Sequence, residues 1–134
     1  MLPLPSWMRR TLYATAVANI AVAGSFIPAA EPMRAMAGFP AGGDPFYLLT
    51  IGLFVLLFGI GYLWTAMVGR SDRLFIAIAA AGKLSFVALV VHFWSIGAMP
   101  LRAPILASAD LFFGAIFLVW LVTARAPAPL VQTV

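Results

Sequence analysis

Cysteine is absent from the chain. That excludes disulfides, thiolate metal sites, iron–sulfur clusters and thiol nucleophiles, so redox work would need a borrowed cofactor. Charge is scarce as well: eight basic and four acidic residues among 134 make 9% of the chain, where ordinary proteins carry roughly a quarter. The balance is a formal charge of +4. The basic residues stand singly or in pairs and form no stripe of the kind that binds nucleic acid, so the positive charge reads as membrane topology. A single histidine is present, and haem ligation through it would need a second ligand from a partner or another copy. Familiar catalytic spacings are missing too, with no HExxH, no G-x-S-x-G, no P-loop and no paired-carboxylate motif. Six methionines spread over loops and helix ends form no copper-thioether cluster. The sequence therefore favours a protein without catalytic or metal residues of its own.

Apolar residues are what the chain has in quantity: 64% are hydrophobic and the mean hydropathy is +1.07. Long apolar runs separated by short polar turns mark a polytopic α-helical membrane protein. Spans are expected at 11–27, 45–68, 74–98 and 104–124, with an outer loop at 28–44 and a tail at 125–134, in one membrane domain covering 1–134. Short connections at 69–73 and 99–103 make successive spans antiparallel neighbours, which predicts an all-α, four-transmembrane-helix bundle running up-down-up-down. Gly52 and Gly59, seven apart, put small residues on one face where helix backbones can approach. Within the long loop, Glu31 and Pro32 suit the first turn of a short helix over 31–37, lying on the outer surface as a connector or as a lid over the bundle mouth. Arg9, Arg10, Arg70, Arg73 and Arg125 fall on one side of such a bundle, and Arg34 and Arg102 on the other. The positive-inside rule then puts both termini in the cytoplasm, with the protein multi-pass in a bacterial inner membrane.

Two ionisable residues lie deep in these spans. Lys83 is ten residues past Arg73, about 15 Å into the membrane, and Asp110 is six past Pro104, about 9 Å in from the opposite side. The axial offset left between them is about 6 Å, within reach of a lysine stem. Ionisable groups at such depth cost a few kcal/mol and usually find partners in the bundle interior. A Lys83–Asp110 pair could act as a buried pair that sets helix register, or as the polar floor of a ligand site. Asn19, near the middle of the first span, is an interhelical hydrogen-bond residue and a candidate to complete the contact. Phe86 and Trp94 share the Lys83 face and would wall the site. His92 falls on the opposite face, and Tyr62, one turn from the inner end of its span, reads as an interface anchor; both are secondary candidates.

Gly61-Tyr62, Gly82-Lys83, the turn at 97–100 with Arg102, and Asp110 followed by an aromatic-rich end resemble small bacterial four-helix membrane proteins, loosely DoxX-like in size and architecture. The resemblance implies that architecture, with Lys83 and Asp110 as its polar residues. DoxX proteins proper are associated in some lineages with quinone-linked thiosulfate oxidation, which implies a lipid-soluble acceptor in the bundle. Without cysteine or a family-defining catalytic motif, that activity does not carry over. The function expected is an accessory subunit of a membrane complex, or a binder of a lipophilic ligand such as a quinone, lipid or pigment. The alternatives are a proton-relay or small-solute transporter using Lys83 and Asp110, and a quinone-linked oxidoreductase component. Expected partners are membrane lipids, proteins of a larger membrane complex, or further copies of the chain.

Overall fold

A computed structural model describes residues 1–124; the expected tail at 125–134, including Arg125, lies outside the described residues. The architecture is all-α, with helices α1 (Ser6–Ala23), α2 (Glu31–Ala37), α3 (Pro45–Val68), α4 (Arg73–Ser95) and α5 (Arg102–Thr123). Among the described residues, α3, α4 and α5 are each long and apolar enough to cross a membrane. Their 24, 23 and 22 residues match a hydrocarbon core about 30 Å thick at about 1.5 Å of rise per residue. The first segment differs from expectation. It starts at Ser6, breaks after Phe26, and passes the same test only together with Pro28–Ala37, to which it is bent by 98°. Pro28 causes the break: a proline ring bars the preceding residue from helical geometry, and Ile27 is extended at φ −65°, ψ 135°.

Local chemistry sets the other boundaries. The carboxylates of Asp44 and Asp72 cap α3 and α4, accepting from the backbone N–H of Phe46 at 2.9 Å and of Leu74 at 2.7 Å. Gly69 ends α3 in the left-handed region, at φ +71°. The N-terminal residues then fasten onto this turn. Strand β1 (Leu2–Pro3) pairs antiparallel with β2 (Arg70–Ser71), and the Leu4 N–H donates to the Gly69 carbonyl at 2.9 Å.

Arginines fasten the helix ends beside this clasp. The last carbonyls of a helix have no intrahelical donor and carry the negative end of its dipole, so a guanidinium there is favourable. Arg9 Nε donates to the Ala66 carbonyl of α3 at 3.0 Å, and Arg73 donates to the carbonyls of Leu121 and Ala124 at 2.6 and 2.7 Å. The starts of α1 and α4 are thus held against the ends of α3 and α5. The larger apolar core lies near this end and includes Met8, Leu12, Ile76, Phe117 and Trp120.

The closest packing is of α1 on α3 and of α4 on α5. A Cβ placed on Gly52 would come 2.9 Å from Phe26 Cβ, and one on Gly59 would come 3.0 Å from Ile20 Cγ1. In the other pair, Gly114 sits equally tight against Leu84, and Ala103 and Ala107 of α5 are buried. By contrast α3 and α4, joined by a short turn and expected to be antiparallel neighbours, are not a close-packed pair. Large rings stand between them, with Tyr62 and Phe75 at 5.8 Å between centroids, and these hold the two backbones apart.

At the end away from the clasp, the expected short helix at 31–37 forms and is tied down. Arg34 is 5% exposed and donates to the carbonyls of Ser25, Ile27 and Ala41 at 2.7 to 3.1 Å. Gly38, at φ +81°, lies against Pro100 and Arg102, and Phe39 stacks on Phe86 of α4 with centroids 6.1 Å apart.

Candidate functional site

Between the two close pairs lies a cavity of about 340 Å³ bordered by α1, α3, α4, α5 and Phe26 of the turn after α1. Its polar residues arrive from three helices. The Asp72 cap starts α4 and places Lys83 three turns in, α5 brings Asp110 from the opposite end, and α1 brings Asn19. Lys83 Nζ donates to Asp110 Oδ1 as an ion pair, and to Asn19 Oδ1 at 3.2 Å. Asn19 Nδ2 in turn donates to the Val55 carbonyl of α3 at 3.2 Å. One line of polar contacts therefore crosses all four long helices.

The surroundings of the pair are unequal. Lys83 is 7% exposed and Asp110 30%, so the carboxylate is the more accessible partner. The ammonium also lies 5.8 Å from the ring centroid of Tyr62 and 5.6 Å from that of Phe113, inside the range of cation–π attraction. Phenylalanines supply much of the remaining wall, with Phe26, Phe54, Phe58 and Phe86 beside Phe113. The cavity is not closed off: Phe54 of α3 and Phe86 of α4 border it and are exposed, as are Val22 of α1 and Leu106 of α5, and α3 and α4 leave a seam where they do not pack closely. Gly82 lies at this seam, and a Cβ added to it would meet no atom within 4 Å.

The structure thus brings together Lys83, Asp110, Asn19 and Phe86. Tyr62 joins them, in a place other than the interface expected for it. It is 2% exposed, packed against Phe58, Phe75 and Phe117 at 5.7 to 6.0 Å, and it borders the cavity. Among the described residues its hydroxyl makes no hydrogen bond. Trp94 is not brought to the site. It shares the face of Lys83 but lies three turns further along α4, exposed, and does not border the cavity. His92 is exposed and packs edge-on against Phe93 at 5.5 Å.

No protein family, curated protein or solved structure matches the chain. Among the described residues, no three histidine or acidic side chains gather as metal ligands. What the site offers is a charge-balanced pair with spare hydrogen-bonding capacity, in an otherwise apolar and aromatic chamber.

Proposed function

We propose that this is a four-crossing inner-membrane protein whose cavity binds a lipophilic ligand. In this reading the bent first segment supplies the fourth crossing through α1, whose 18 residues make about 27 Å of helix. The helices run up-down-up-down, because the starts of α1 and α4 are fastened to the ends of α3 and α5. Arg9, Arg70 and Arg73 share that end, so the positive-inside rule makes it cytoplasmic.

The observation that carries the ligand reading is the cavity itself. A few convergent polar groups within aromatic and apolar walls are what small-molecule sites look like, and this one opens sideways between helices that face lipid. A quinone, a lipid or a pigment would each have its apolar body satisfied there. Transport or proton relay would need polar groups continuing from the pair toward either surface, whereas the lining beyond Lys83, Asp110, Asn19 and Tyr62 is apolar.

The test is isolation of the protein in native-lipid nanodiscs, followed by mass spectrometry of lipids and proteins. A small lipophile enriched near one per chain is expected, and Gly82→Trp, which fills the opening without meeting another atom at Cβ, should deplete it. A stoichiometric protein partner without an enriched ligand would favour an accessory subunit instead. Recovery of neither would sink both.

A further inference from the structure

We infer that the occupant of the cavity is an uncharged lipid alcohol, whose hydroxyl accepts a hydrogen bond from Lys83 and donates one to Asp110. The inference rests on the ligand-binding reading and narrows it to a chemical class.

Charge balance is the first argument. Lys83 and Asp110 are the charged side chains that border the cavity, and they are paired with each other. An anionic head, such as a fatty acid or phospholipid, would bring a charge with no counter-charge into an apolar chamber, and a cationic head would do the same. A neutral head avoids that cost.

Hydrogen-bond capacity is the second. An ammonium has three donors, and Lys83 uses two of them, on Asp110 and Asn19. An ionised carboxylate only accepts, at about four lone-pair positions, and among the described residues Asp110 receives one side-chain donor, Lys83. Asn19 spends one of its two N–H donors on Val55 and one lone pair of its oxygen on Lys83. The ion pair itself leaves one free ammonium donor and several free carboxylate acceptor positions side by side next to the cavity. A ketone, aldehyde or ether could only accept, leaving the carboxylate without a second donor. A hydroxyl serves both groups at once. The phenylalanine walls and the opening at Gly82 suit a hydrocarbon body that extends toward the bilayer.

The experiment uses one hydrocarbon skeleton with four heads. The full chain in phosphatidylcholine nanodiscs is loaded with tritiated farnesol, and empty nanodiscs provide the background. Unlabelled farnesol, farnesyl methyl ether, farnesal and farnesoic acid then compete at about pH 8, where the acid is ionised. Farnesol should displace the label at a concentration about tenfold or more below the ether and the aldehyde, as expected when a hydrogen bond to a charged group is lost, with the acid weakest. In the Lys83→Met, Asp110→Leu double variant, the alcohol and the ether should become equal. Should that variant fail to fold, the ranking on the natural chain still decides. Saturable retention with any other ranking overturns the alcohol assignment and leaves the cavity reading standing. Absence of saturable retention of the labelled farnesol overturns the alcohol assignment, and absence of any enriched lipophile from the native-lipid nanodiscs overturns the cavity reading itself.

Discussion

Removing Lys83 and Asp110 separately and together should give three different stabilities. Breaking a buried ion pair by deleting one partner costs about 3 to 5 kcal/mol, because the other charge is stranded. The two single variants should not suffer equally. Asp110→Leu leaves the ammonium 7% exposed with only the neutral Asn19 oxygen and two aromatic rings around it, so a loss of about 3 kcal/mol is expected. Lys83→Met leaves a carboxylate that is 30% exposed, and discounting for that exposure lowers the expected loss to about 2 kcal/mol. In the double variant no charge is stranded; the main remaining penalty is the Asn19 oxygen without its donor, about 1 to 2 kcal/mol. The coupling between the two positions is then about 3 to 4 kcal/mol. Reversible unfolding by sodium dodecyl sulfate titration in mixed micelles would measure all four corners of the cycle. If the double variant is as unstable as the two singles added together, about 5 kcal/mol, the residues are not a coupled pair and the reasoning fails.

Two further predictions concern packing and the strap at the far end. Gly59→Val should destabilise the chain by about 1 to 3 kcal/mol in the same titration, because its Cβ would press on Ile20 and Asn19 of α1, whereas Gly82→Ala, with open space around its Cβ, should be neutral or slightly stabilising. Arg34→Met should raise amide hydrogen exchange across residues 25–41 while leaving α4 and α5 protected, and Arg34→Lys should not rescue it, since an ammonium cannot span the carbonyls of Ser25, Ile27 and Ala41 with a planar fork. Unchanged exchange in that segment would show that Arg34 does not hold it.

The polar centre was legible because ionisable residues in apolar runs are conspicuous, and a fixed rise per residue converts sequence distance into depth. Lys83 and Asp110 meet as that arithmetic predicts, with Asn19 as the third member. Phase and depth each mislead when used alone. Trp94 has the right helical phase but lies about 16 Å beyond Lys83 along α4, past the cavity. Tyr62 was placed by its nearness to a helix end, although phase held the better signal. Gly52, Gly59, Tyr62 and Ala66 follow one another at seven, three and four residues, one face of α3, and all four are buried. Phe113, three residues after Asp110, could have been found in the same way. Phe26, Phe54 and Phe58 could not, because their place in the wall depends on which helices pack together. The turn at 69–73 makes α3 and α4 antiparallel neighbours, but side-chain size decides which pairs pack closely: glycine and alanine faces close the α1–α3 and α4–α5 pairs, and rings keep the α3–α4 seam apart.

The position of Asn19 in the chain has a consequence for biosynthesis. Of the two side chains that hold Lys83, Asn19 is translated 64 residues before it and Asp110 27 residues after it. On the four-crossing reading, α4 leaves the ribosome ahead of α5, so the lysine emerges before its counter-ion. A lysine at the centre of a helix opposes insertion by about 2.5 to 3.5 kcal/mol. During that interval the carboxamide of Asn19 is the partner already in place, so its part in the finished ion pair is preceded by one as a temporary host for the charge.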